Sequence, residues 1–303
     1  MIQDILVDEG GDTRIDRYLS SHCEGLSRSY LQKLLKDGCV LVNEKPVKSS
    51  YKVTPGETVR IHLPEAVELP VLPENLALDI LYEDKDILIV NKPKGMVVHP
   101  AAGHLTGTLV NGLMAYCKED LSGINGVLRP GIVHRIDKDT TGALIVCKND
   151  QAHNDVAQQL KDHSITRVYY AIVHGRIKSD EGTVNAPIGR HPTERKKMSI
   201  NEKNGKTAVT HYHVLRRFHQ FTYMECRLET GRTHQIRVHM ASIGYPLLGD
   251  RTYGPSKCPF PELEGQTLHA GILGICHPRT KEYLEVHAPL PEYFEKLLIK
   301  LEQ

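Results

Sequence analysis

Three stretches of the chain hold side chains whose types and spacing could do chemistry. Residues 130–150, PGIVHRIDKDTTGALIVCKND, place His134, Arg135 and Asp137 close together between two apolar runs. RVYYAIVHG (167–175) carries Tyr169, and LETGRTHQIRVHMASIGYPLLGD (228–250) carries Arg232 and Arg237. An ionised carboxylate can act as a nucleophile or as a base. A guanidinium beside it favours the charged form and can grip it in a two-pronged geometry. A tyrosine offers a ring for stacking and a hydroxyl for proton transfer.

Other chemistries fit poorly. Asp139 lies two residues beyond Asp137 in a turn, which does not make a glycosidase pair. His234 and His239 are five apart and fall on different helix faces, unlike the four-residue spacing of a HExxH zinc helix. No metal site is expected. There is no GxSxG, P-loop or GxGxxG. Taken singly, each residue also has a structural reading: Asp137 as a polar hairpin tip, Tyr169 as a core tyrosine, Arg232 and Arg237 as phosphate binders or surface charges.

The elements that must position these residues follow from periodicity. Ile132-Val133 and the run at 143–147 read as buried strands. Turn residues separate them, with Gly142 free to take a backbone angle that other residues avoid. Tyr169, Ala171 and Val173 share one face of their strand, and Tyr170 and Ile172 the other. Gly231 turns the chain, and Thr233 can cap a helix whose apolar edge is Ile236, Met240 and Ile243. Arg237 lies about 100° from Ile236, at the border of the buried face. LDILYED and KDILIVNKP read as two strands joined at an Asp-Lys-Asp turn, and residues 106–116 as a helix. GTVNAPIGR, HYHVLRRF and FTYMECRLETG supply further strands; QAHNDVAQQLKDH and PEYFEKLLIKLEQ supply helices. Without a strict βαβ repeat, this mixture predicts an α+β domain with a large mixed, mostly antiparallel sheet.

Residues 1–63 read as a smaller α+β module. Asp12-Thr13 can cap a helix through RIDRYLSSH, and Ser27 a second one ended by Gly38. Leu31, Leu34 and Leu35 fall on one side of the second helix, and Arg28, Lys33 and Lys36 on the other. Two short strands follow, CVLVN and, after Lys45-Pro46, the stretch ending in ETVRIHL. Residues 64–75, PEAVELPVLPEN, read as a proline-rich linker, which leaves 76–303 as the larger domain.

Bulk properties set further limits. The 303 residues are 40% hydrophobic and 25% charged, an ordinary globular composition. No apolar run approaches the ~20 residues a membrane span needs. Seven cysteines form no CxxC pair, and the acidic N-terminus has no signal-peptide pattern, so a cytoplasmic protein is expected. A net charge of +1 argues against a protein that coats nucleic acid, although the stretch 190–206 is locally basic. The absence of Trp and the presence of only four Phe argue against an extended stacking platform for single strands.

RIDRYL, SRSYLQKLLKDGCVLVNEKPVK and VTPGETVRI resemble the S-four (αL) RNA-binding domain. KPKGMVVHP, GIVHRIDKDTTG, RVYYAIVHG and TGRTHQIRVHMASIGYPLLGD resemble, in order and spacing, the motifs of the ribosomal large-subunit (RluA/RluD-type) pseudouridine synthases. HRID with TTG stands where that family more commonly has HRLD with TSG. The resemblance implies a pseudouridine synthase fold with a catalytic cleft. It implies an isomerase that converts specific uridines to pseudouridine, most readily in large-subunit (23S) ribosomal RNA, after flipping the base. Asp137 would be the catalytic aspartate and Tyr169 the active-site tyrosine. Arg237 would be the basic partner of Asp137, with Arg232 the second choice. Arg135 would fill the gap left by the extruded uridine; Arg232, Arg28, Lys33 and Lys36 would contact RNA. A monomer acting on an RNA stem-loop or other structured RNA is implied, without cofactor, metal or membrane. The alternatives are a non-catalytic RNA-binding ribosome-assembly factor and a synthase acting on transfer RNA.

Overall fold

Two uninterrupted apolar runs, ILIV at 87–90 and ALIVC at 143–147, form the centre of the larger unit because both faces of their strands are covered. Leu88, Val90, Leu144 and Val146 enter one core, and Ile87, Ile89, Ala143, Ile145 and Cys147 enter another. A strand buried on both faces has no polar alternation to keep. The computed structural model describes residues 2–8, 13–23, 28–62, 71–100, 104–118, 120–124, 130–194 and 197–303, without the side chains of 2, 3, 28–30 and 33. The chain divides into two compact units, residues 1–69 and 70–303.

The first unit runs β1 (Ile2–Leu6), β2 (Thr13–Arg14), α1 (Ile15–His22), α2 (Arg28–Lys36), β3 (Val40–Val42), β4 (Lys45–Pro46), β5 (Lys52–Val53) and β6 (Thr58–His62). Its sheet order is β1-β6-β3-β4, with β2 paired to β5. Ile15, Tyr18 and Leu19 of α1 meet Leu31, Leu34 and Leu35 of α2 over Val40, Val59 and Ile61. Gly38, at φ +73°, ends the second helix as expected. Thr13 does not cap α1. It pairs with Val53 in β2, and the helix begins at Ile15 with no side-chain cap. The expected Ser27 cap and the side chains of Arg28 and Lys33 lie outside the described residues, and Lys36 is exposed.

The second unit comprises β7 (Ile80–Glu83), β8 (Ile87–Lys92), α3 (Leu109–Cys117), β9 (Thr141–Cys147), α4 (Asp150–Lys161), β10 (Thr166–His174), β11 (Glu181–Asn185), β12 (Ile188–Arg190), β13 (Met198–Ile200), β14 (Val209–Arg217), β15 (Phe221–Leu228), α5 (Gln235–Ser242), β16 (Leu268–Cys276), β17 (Tyr283–His287) and α6 (Glu292–Glu302). The sheet order is β11-β14-β15-β10-β16-β9-β8-β7, with β17 also on β16. Among the described strands only β16 and β9 run parallel, so the α+β class and the mixed, mostly antiparallel sheet hold. Leu109 and Leu113 of α3 and Ile236 and Met240 of α5 cover one face, beside Tyr169, Ala171 and Val173. Ala152 and Val156 of α4 lie on the other face with Ile145, and Phe294 of α6 packs with Ile172. Residues 71–75 lie against α3: Val71 joins its core, and Asn111 Nδ2 donates to the Leu72 carbonyl at 2.8 Å.

Three local expectations are corrected. Ile132-Val133 is not a strand; Ile132 makes one isolated antiparallel bridge to Val146, on the side of β9 away from β8 and beyond the two residues that pair with β16. Gly142 is not in the turn but inside β9. A Cβ there would fall 2.2 Å from the Ala270 carbonyl oxygen, at φ +105°, so the glycine permits the close approach of β16. Thr233 does not cap α5. The helix begins at Gln235, after His234 in a left-handed conformation (φ 57°), and Ile243 lies at its exposed end.

Candidate active site

The turn that carries Asp137 is fixed from three sides. Thr140 N–H donates to the Asp137 carbonyl at 3.1 Å. Gly95 N–H (3.0 Å) and Lys92 Nζ (2.9 Å) both donate to the Lys138 carbonyl. The Lys92 ammonium is fully buried and also donates to the carbonyls of Pro93 and Met96. Thr141 Oγ1 lies 2.8 Å from Nδ1 of His269, whose Nε2 donates to the Ala288 carbonyl. The KPKG loop and the start of β9 thus brace the segment, and the carboxylate keeps 18% exposure.

α5 brings the guanidinium. Arg237 Nη1 donates to Asp137 Oδ2 at 2.9 Å. Its two-pronged grip goes to another partner: Nε and Nη2 donate to Oδ2 and Oδ1 of Asp250 at 2.7 and 2.9 Å. Asp250 is buried and also accepts the N–H groups of Thr252 and Tyr253. Burial alone would lower the Arg237 pKa, but Asp250, with Asp137 beside it, raises it above its ordinary value. Arg232 does not reach Asp137; its Nε donates to the Thr207 carbonyl at 3.0 Å. The turn before α5 is held by Gln235, whose Oε1 accepts from Thr230 Oγ1 and Arg232 N–H while Nε2 donates to the Val209 carbonyl and Thr210.

The left-handed backbone at His234 turns its imidazole toward the carboxylate, with Nε2 3.8 Å from Asp137 Oδ1. Its Nδ1 lies 2.8 Å from the Tyr253 hydroxyl, which accepts the Met198 N–H. Burial lowers the His234 pKa, opposed by the Asp137 charge. His134 faces away from this chemistry. Its Nε2 accepts the Ile145 N–H at 3.1 Å, and burial, with the charge of Arg167, pushes its pKa down to about 3.

Tyr169 stands in β10 with 8% exposure. Burial raises its phenol pKa; Arg167 opposes that and Asp137 adds to it. Asp137, Tyr169, Arg237, Arg135, Arg232 and His234 all line one cleft. A broader groove of about 710 Å³ shares Arg135, Arg232 and His234 with the cleft and adds Arg190 and Lys206 near the β12–β13 hairpin. Arg135 is exposed at their junction. One group with metal-like spacing, Asp84, Asp86 and His277, is found among the described residues. Its carboxylates are already engaged, Asp84 by His277 and Asp86 by the fork of Arg279.

Asp250, Tyr253 and Lys92 are not singled out in the sequence, and His234 is weighed there only as a metal ligand. Asp250 had a readable signal, since a guanidinium bordering an apolar helix face calls for a carboxylate, and PLLG places Asp250 in an apolar setting. His234 had none, because its left-handed conformation is not encoded by residue type.

The RNA pseudouridylate synthase family model matches residues 86–242, and the S4 domain model matches residues 13–59. An RNA pseudouridine synthase of Bacillus subtilis is 58% identical over 294 residues, spanning 97% of this chain and 96% of that protein. Ribosomal large subunit pseudouridine synthase D of Zymomonas mobilis is 45% identical over 305 residues, spanning 98% and 96%. The structure of human RNA pseudouridylate synthase domain containing 1 aligns with a TM-score of 0.57 at 26% identity, over 76% of this chain and 96% of that one. Among the described residues no helix is long and apolar enough to cross a membrane.

Proposed function

Because the chain belongs to the RNA pseudouridylate synthase family, and so is an isomerase acting on RNA, we propose that it isomerises specific uridines of large-subunit ribosomal RNA with Asp137 as the reacting carboxylate. The observation that carries this reading is the cleft itself: one partly exposed carboxylate, one buried tyrosine ring and one tethered guanidinium line the same opening. The relatives that carry the ribosomal large subunit name support the choice of RNA.

The reaction breaks the bond from the sugar to uracil N1 and remakes it to carbon 5. Asp137 serves as nucleophile on the sugar or the base, or as base at the sugar, and each route starts from the ionised carboxylate. Arg237 Nη1 holds that form and its direction. Tyr169 stacks on the uracil and assists proton transfer at carbon 5. The uridine reaches the cleft by leaving its stack, at a cost of a few kcal/mol. Arg135, exposed at the mouth, fills the vacated space, while Arg232, Arg190 and Lys206 meet the flanking phosphates. In the first unit Arg28, Lys33 and Lys36 add phosphate contacts.

Pseudouridine mapping of total RNA from cells with and without the gene tests the assignment. Sites lost from large-subunit ribosomal RNA and restored by the wild-type gene, but not by Asp137→Ala, are expected. Loss confined to transfer RNA would overturn the choice of substrate, and no lost site would favour a non-catalytic RNA-binding protein.

A further inference from the structure

Arg167 stands two residues before Tyr169 on β10, and nothing above gives it a role. Its side chain is 7% exposed. Among the described residues no carboxylate pairs with it: its one hydrogen bond runs from Nη2 to the Glu229 carbonyl at 3.0 Å, and Nε has no partner. Gly231 makes room for it, since a Cβ there would fall 2.6 Å from Nη1. A buried guanidinium ordinarily has a carboxylate beside it, because desolvating an unpaired charge is costly.

The ionisable groups that feel its charge are Tyr169 on its own strand, whose side chain shares its face, and His134 of the HRID segment, and it in turn feels the charge of Arg232 of the turn after β15. His134 is held neutral by the Ile145 N–H. Arg232 is a cation directed at the Thr207 carbonyl. Tyr169 is therefore the neighbour able to become an anion. Asp137 acts on the same phenol with the opposite sign. Fixed charge complementary to a species that forms only during reaction is how a buried site favours a transition state.

We propose that Arg167 is a positioning residue for the proton step: its carboxylate-free guanidinium favours the phenolate form of Tyr169 when the hydrogen on uracil carbon 5 must leave. This deepens the function proposed above and rests on it. The phenol proton leaves to water through the cleft. The phenolate takes the carbon 5 proton, and the bonding pair returns to the uracil ring. N1, freed from the sugar, takes a proton from water. Protons balance, and no oxidant or reductant is needed.

The test is single turnover at saturating RNA, comparing uridine with 5-deuterouridine at the target site. Arg167→Met is expected to slow the reaction on the order of 10²-fold and to give a larger carbon 5 isotope effect than wild type. Arg167→Lys should recover part of the rate, and carries the same comparison if the Met variant does not fold. A fluorinated tyrosine at position 169, whose phenol ionises more readily, should restore rate to the Arg167 variant. Slowing with an unchanged isotope effect and no fluorotyrosine rescue would make Arg167 a brace for residues 229–231 and overturn the proposal. Tyr169→Phe separates the two layers. Substantial turnover there removes Tyr169 from the proton step altogether, whereas loss there combined with a negative Arg167 result removes only Arg167.

Discussion

Arg237 gives its fork to Asp250 and a single nitrogen to Asp137. Both oxygens of Asp250 are gripped, at 2.7 and 2.9 Å, while Asp137 receives Nη1 alone at 2.9 Å. The reacting carboxylate is thus held by an arginine that is itself held elsewhere. An exposed pair of this kind would be worth little, but Arg237 and Asp250 are both buried.

Removing Asp250 should therefore damage fold and function together. Asp250→Ala leaves a buried guanidinium without its main partner, which costs about 3–5 kcal/mol. We expect a lower denaturation midpoint and a large loss of rate. Arg237→Lys should resemble it, because a lysine cannot form the fork. An Asp250→Ala protein with unchanged unfolding and full turnover would contradict the tether.

Much of this was legible in the residues. Three motif stretches converge on one cleft, and the order of strands and helices gives the α+β sheet. The strand runs were legible because burial on both faces leaves an unbroken apolar signature at 87–90 and 143–147. What escaped was long-range or backbone-specific. The Gly142 contact depends on β16, more than a hundred residues away, and the His234 turn depends on a left-handed angle. The two-pronged geometry was anticipated for Arg237, but its partner was not, since Asp137 and Asp250 are equivalent as residue types and differ only in burial.

Lys92 should give stability an alkaline slope. Burial pushes its amine down to about 7, against the pull of Asp139 and Asp137, while in an unfolded chain lysine titrates near about 10.4. Below about 7 both states hold the proton, and the folded state carries the cost of a buried charge. Between those values the unfolded state alone holds it, so this group's contribution to stability rises with pH. Denaturant unfolding of wild type and Lys92→Met at pH 7 and pH 9 should show the difference moving in favour of wild type. A difference that stays flat would mean that Lys92 keeps its ordinary pKa.

The first unit has its own core, from Val7 to Ile61. Deleting residues 1–69 should leave a folded second unit with weaker RNA binding. Each lost phosphate contact should reduce the slope of log affinity against log salt by about 0.7–0.9. Unchanged affinity and slope would argue that the unit serves something other than RNA.

The central claim is that Asp137 reacts. Asp137→Asn retains the shape of the turn and leaves Arg237 on Asp250, so the protein should unfold at nearly the wild-type midpoint and bind RNA nearly as well. The direct measurement is single-turnover pseudouridine formation at saturating RNA by this variant beside wild type. A loss on the order of 10⁴-fold or more is expected for a reacting group. Turnover within about tenfold of wild type by the folded Asp137→Asn protein would contradict it.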